Sequence, residues 1–252
     1  MALTPSAHRA LRPTGAKVAL CIGISAYVGC NTLRNAANDA RDVGAALSGK
    51  GYAVTTLLDG AASYRAMRQA LDAFAVALRP GGVAFFFFSG HGLQGPDGRN
   101  YLIPVEGVSH WRDLEHDALS LERVNDRLRG SQCMLHVVVA DACRKDSPAR
   151  MATDTKDLPR GFSVLAAPPA QAGSLLVYSC EPGRVAWDAG SGGANGVFTA
   201  ALLRHLTAPG EHVEAVFTRT TRDCVEATRH QAEGPQRPWR HADLTETHVC
   251  LF

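Results

Sequence analysis

Two apolar runs constrain this chain more than anything else in it. Val83-Ala84-Phe85-Phe86-Phe87-Phe88 leads into Ser89-Gly90-His91-Gly92, and residues 134–140 (MLHVVVA) lead into Asp141-Ala142-Cys143. Each run is short, rich in aromatic or β-branched residues and bounded by breakers, so each reads as a strand. Each also carries one reactive side chain at its C-terminal end. In an open α/β sheet that edge is where binding and chemistry are built. The two side chains are an imidazole and a thiol, the base and nucleophile of thiol-dependent hydrolysis.

The segments around these runs alternate in kind. Residues 17–24 (KVALCIGI) read as a buried strand, and 38–49 place Ala, Val and Leu at helical spacing with Gly51 as a stop. Residues 53–58 are apolar and β-branched, Asp59-Gly60 marks a turn, and Ser63 caps a helix reaching Leu78. This β-α-β-α-β order predicts a mostly parallel sheet of about six strands with helices on both faces. Gly95-Pro96-Asp97-Gly98 predicts a hairpin turn into residues 101–104. Helices are expected over 120–128 (capped by Ser120), 195–206 and 212–229, and a fifth strand over 174–179. Arg237-Pro238-Trp239-Arg240 opens a last edge strand, where proline is tolerated. The domain organisation follows: a flexible leader over 1–16, then one domain over 17–252. That domain divides into a half bearing His91 and Cys143 (17–143), an irregular linker (144–173) and a second half (174–252).

Composition excludes several classes. A formal net charge of +2 with no dense basic run argues against nucleic acid or an anionic membrane as partner. No apolar run approaches a bilayer span. The seven cysteines are odd in number and no pair has C-x-x-C spacing, so neither a disulfide framework nor a zinc site is expected. Reduced thiols point to a cytoplasmic protein, and no metal or cofactor is implied.

The backbone N–H groups of Gly92 and Cys143 are candidates for stabilising an oxyanion, since glycine lets a main-chain donor approach substrate closely. Either reactive residue alone would read as structural; the pair, each at the end of an apolar strand, is more specific.

Seven segments together resemble the caspase superfamily: KVALCIGISAY from Lys17, LRNAANDA from Leu33, FFFFSGHG from Phe85, NYLIPVE from Asn100, VVVADACRKD from Val137, YSCEPGRVAWD from Tyr178 and NGVFTAALLRHL from Asn195. The resemblance implies a caspase-like three-layer sandwich, with His91 as general base and Cys143 as nucleophile. Cys143 lies 52 residues after His91, near the separation of about 50 found in caspases. Asp141 and Asp188 stand where caspases that cut after aspartate have Gln and Arg. Asp39 falls where the related paracaspases and metacaspases place a further acid. Three carboxylates would attract Arg or Lys and repel Asp before the scissile bond, and the guanidinium fork favours Arg. Read one by one, Asp39 also fits a solvated acid at a helix start and Asp188 a turn residue. Val185, Ala186 and Trp187 are implied as the edge strand that pairs with substrate backbone. Trp187 walls the next pocket, or else packs as a core aromatic.

Asp97 is the only acid in the stretch HGLQGPDGRNYLIP that opens on His91, too few for a calcium cage. This favours a paracaspase-like enzyme without calcium activation over a calcium-activated metacaspase. The linker carries Arg150, Lys156 and Arg160, which an acidic pocket would accept as self-cleavage sites; a solvated basic loop is the alternative. Expected partners are polypeptide substrates and a second copy of the chain paired through its last strand, with the tail over 247–252 either a pairing edge or folded back. A caspase-like pseudoenzyme acting as scaffold is the competing function.

Overall fold

The computed structural model describes residues 11–28, 31–143, 173–181, 186, 193–232, 234–244 and 249–252, with the backbone only at Cys143. The chain runs β1 (Lys17–Gly23), α1 (Ala36–Ser48), β2 (Ala53–Leu58), α2 (Tyr64–Ala77), β3 (Val83–Gln94) and β4 (Asn100–Leu102). It continues through α3 (Leu114–Asp117), β5 (Leu119–Ser120), α4 (Leu121–Leu128), β6 (Leu135–Cys143), β7 (Ser174–Tyr178), α5 (Val197–Leu206), α6 (Val213–Thr228) and β8 (Trp239–Asp243). Strand order is β2-β1-β3-β6-β7-β8, with β4 pairing β3 and β5 beyond this path. The first five strands of that order are parallel and β8 is antiparallel.

Alternation along the central strands sorts the core into two layers. Ala84, Phe86, Phe88, Val138 and Ala140 pack with Met67, Leu71, Phe74 and Val124 of α2 and α4. Phe85, Phe87, Val137 and Val139 pack with Val43 and Leu47 of α1, Phe198 and Leu202 of α5, and Phe217 of α6. Four consecutive phenylalanines are fully buried because each face of the sheet is covered. Burial of one such side chain is worth about 1.5–3 kcal/mol.

The expected helix caps form at Ser63, which accepts from Ala66 N–H, and at Ser120, which accepts from Arg123 N–H. Strand β3 extends past its apolar run through His91 to Gln94, because β6 and β4 supply pairing partners beyond Phe88. Residues 11–16, expected as part of a flexible leader, are tied down: Thr14 and Gly15 donate to Gly81 O at 3.1 and 3.0 Å, and Leu11 bridges Val249. The tail folds back. Cys250 N–H donates to Leu11 O at 2.9 Å, and Leu251 is buried. Among the described residues no helix is long and apolar enough to cross a membrane.

Candidate active site

Strands β3 and β6 keep parallel register from Val83↔Leu135 to His91↔Cys143. Adjacent strands lie about 4.8 Å apart, so the backbone brings His91 and Cys143 side by side at the C-terminal edge of the sheet. Two strands that start level, with equal spans from Val83 to His91 and from Leu135 to Cys143, are enough to do this.

The histidine is buried and held on three sides. Its backbone N–H donates to the Tyr27 hydroxyl at 2.8 Å, and that hydroxyl donates to Ile103 O at 3.3 Å. Ile103 N–H returns a bond to His91 O at 3.0 Å. The tyrosine hydroxyl therefore replaces one direct bond of an antiparallel pair with a two-step relay. Gly90 makes room for it, since a Cβ there would lie 2.5 Å from the Tyr27 oxygen. The Tyr27 ring lies beside the imidazole, centroids 4.6 Å apart and tilted by 48°. Finally, Nε2 sits 2.7 Å from the Asn31 carbonyl oxygen. A carbonyl only accepts, so Nε2 carries the ring proton and Nδ1 is the basic nitrogen.

Alternation also orients Gly92. Ser89 and His91 direct their carbonyls away from β6, accepting from Ile24 N–H, just past β1, at 3.0 Å and from Ile103 N–H, just past β4, at 3.0 Å. One residue on, the Gly92 N–H points to the opposite side, that of β6.

Two carboxylates lie beneath this edge. Asp39, on the first turn of α1, is 2% exposed, and Asp141, two residues before Cys143, is 9% exposed. Gly23 lets α1 come so close: a Cβ there would meet Ala36 O at 2.4 Å. Asp39 accepts from Ser89 Oγ at 3.0 Å and from Gly196 N–H, at the start of α5, at 2.9 Å. Asp141 accepts from Thr199 Oγ at 2.7 Å. Burial first, and the charge of Asp141 second, push the Asp39 carboxyl up from 3.8 to about 8; the bonds from Gly196, Ser89 and Asn195 oppose this. The pair resists holding two negative charges at neutral pH.

The family model for the caspase domain matches residues 16–249. The chain belongs to the caspase superfamily. This caspase domain is 27% identical over 191 residues to the human mucosa-associated lymphoid tissue lymphoma translocation protein 1. That match covers 75% of this chain and supports the paracaspase-like branch, although the chain spans only 22% of the human protein's length. A crystal structure of protein GSU0716 from Geobacter sulfurreducens shares the fold, with TM-score 0.64 and 22% identity over 92% of this chain and 95% of that one.

Within the caspase domain, His91, Gly92, Cys143, Asp39 and Asp141 thus meet at one sheet edge. Ala186 is buried in irregular backbone. Val185, Trp187, Asp188, Arg150, Lys156 and Arg160 lie outside the described residues. Tyr27, Asn31, Ser89 and Thr199 were not singled out from the sequence. Tyr27 and Thr199 stood inside recognised motifs, but nothing marks which hydroxyl faces a reactive group. Asn31 contributes a backbone carbonyl, which any residue supplies.

Proposed function

We propose that this caspase domain is a cysteine endopeptidase that cuts after Arg, or Lys, without calcium. The observation that carries this reading is the His91↔Cys143 register at a sheet edge floored by two buried carboxylates. His91 Nδ1 takes the thiol proton, and the Cys143 thiolate adds to the scissile carbonyl. The N–H groups of Gly92 and Cys143 bind the oxyanion of the tetrahedral intermediate. Collapse expels the amine, which receives the proton from His91, and leaves a thioester on Cys143 that water hydrolyses. Asp39, Asp141 and Asp188 bind the guanidinium, and residues 185–187 pair with the peptide backbone. The same specificity would cut the linker after Arg150, Lys156 or Arg160. A second copy pairs along β8, which ends the strand order among the described residues. A thiolate enzyme of this kind belongs in the reducing cytoplasm.

Fluorogenic peptides ending in Arg, Lys or Asp, each with calcium and with chelator, test the reading. Turnover of the Arg peptide is expected in both conditions, and loss of at least about 10³-fold in Cys143→Ala and His91→Ala. Turnover only with calcium would favour a metacaspase. No turnover of any peptide would favour the scaffold. Mass spectrometry of the purified protein beside Cys143→Ala reads self-processing, and linker cleavage that persists in the variant refutes it.

A further inference from the structure

The seat of His91 is itself held by one acid that the proposed reaction does not touch. Asp59 follows β2 with φ +44°, a left-handed conformation that glycine adopts freely and that Asp or Asn adopts at some strain, though less than other side chains. In that conformation its carboxylate reaches the chain leaving β1: one oxygen accepts from Ser25 N–H at 2.7 Å and from Ala26 N–H at 2.9 Å. Next along the chain is Tyr27, beside the imidazole, and further on Asn31, whose carbonyl accepts a hydrogen bond from the imidazole N–H. Ser25 passes the constraint on. Its carbonyl accepts from Leu33 N–H at 2.9 Å, and its hydroxyl accepts from Ala37 N–H on α1 at 2.9 Å. A second brace runs in parallel. Ala62 N–H donates to Asp59 O at 2.8 Å, Val105 N–H to Ala62 O at 3.1 Å, and Val28 N–H to Val105 O at 2.9 Å. Asp59 thus fixes the chain on both sides of Tyr27, at Ser25 and Ala26 directly and at Val28 through Ala62 and Val105.

We propose that Asp59 is a positioning residue: by anchoring Ser25 and Ala26 it holds Tyr27 and the Asn31 carbonyl in the geometry that fixes the tautomer and orientation of His91. The inference rests on the reading of His91 and Cys143 as a catalytic dyad. A strained conformation retained at a half-buried acid fits a position where a carboxylate is needed, because glycine would occupy the same backbone without strain. The sequence alone marks Asp59-Gly60 only as a turn.

Asp59→Gly separates the two roles. It removes the carboxylate and relieves the strain, so the variant should melt no lower than a few degrees below the parent. Its kcat should nevertheless fall by about 10- to 100-fold at nearly unchanged KM, as expected when a catalytic group is displaced by about an ångström. Asp59→Asn tolerates the same backbone and keeps one accepting oxygen, so it should recover most of that loss. Alkylation of Cys143 by iodoacetamide, followed against pH, supplies a readout that a merely structural role would not move. In Asp59→Gly its midpoint should shift toward the ordinary free-thiol value near 8.5. Full kcat with the parental alkylation profile in a folded Asp59→Gly protein overturns the proposal. If that variant does not fold, hydrogen exchange at the Ser25 and Ala26 amides of the unaltered protein decides: slow exchange supports the clamp, and exchange at the free-amide rate overturns it. If His91→Ala leaves the parental alkylation profile unchanged, the dyad reading itself fails, an outcome distinct from failure of Asp59 alone.

Discussion

Asp39 is where a single residue sets a pH dependence. Its carboxyl binds a proton more tightly folded than unfolded, with the folded value raised to about 8. Its contribution to stability is therefore complete below the ordinary carboxylate range and is lost as pH rises through about 8. A bound guanidinium demands the ionised form, so substrate affinity runs the other way. We expect KM for an Arg peptide to fall as pH rises toward 8, while kcat follows the dyad. Asp39→Asn should flatten the loss of stability between pH 5 and 9, read as urea midpoints. It should also lower kcat/KM for the Arg peptide by about 10- to 100-fold, the worth of one charge-assisted bond. At this scale the sequence was legible where chemistry is written in side chains. His91 and Cys143 stood out by their places at the ends of apolar strands, and Asp39 and Asp141 by the resemblance of their motifs to the caspase superfamily. It was illegible where the group is a main-chain carbonyl, as at Asn31, or a carboxylate acting through two backbone amides, as at Asp59.

Strand β3 shows how an element is built around its exceptions. Its buried run ends at Phe88, yet Ser89, Gly90, His91 and Gly92 stay extended because their backbone groups find partners in β6, in Tyr27 and in the segment after β4. Hydrophobicity marked the first half of the strand; the second half is a matter of pairing, which no single-segment pattern carries. For the same reason α1 begins at Ala36, before any periodic signal, and α3 and β5, of four and two residues, left no trace in the sequence. Gly90 is the point where this strand tolerates least. A methyl there would lie 2.5 Å from the Tyr27 oxygen and 2.8 Å from Phe88 Cζ, neither of which can move without disturbing its neighbours. Gly90→Ala should destabilise the protein by about 1–3 kcal/mol, as overpacking does, seen as a lower urea midpoint at unchanged slope. Because the displaced hydroxyl is the one bonded to His91 N–H, activity of the fraction still folded should also fall.

On the scale of the whole molecule, the two ends of the described chain close one layer of the core. Leu11 and Val249 bridge in parallel, His212 and Cys250 in antiparallel fashion, and Val213 N–H donates to Val249 O at 2.9 Å at the start of α6. The Tyr52 hydroxyl donates to Leu251 O at 3.0 Å, and the Phe252 ring lies 6.1 Å from that of Tyr52, edge to face. This placement was open in the sequence, where the tail read equally as a pairing edge, since four apolar residues carry no information about which surface they meet. Val249 and Leu251 are buried in the core layer that also holds side chains of α1, α5 and α6, so among the described tail residues the apolar surface is spent largely on the fold itself. Removing residues 249–252 should therefore cost stability without changing the association state. Two buried side chains at about 1.5–3 kcal/mol each set the loss near 3–6 kcal/mol, a large share of the roughly 5–15 kcal/mol that holds a domain together. Denaturant titration reads the first effect and sedimentation at matched concentration the second. A truncated protein as stable as the parent would mean that the tail contacts add nothing to the core, and one that becomes monomeric where the parent is dimeric would place the interface at the tail after all.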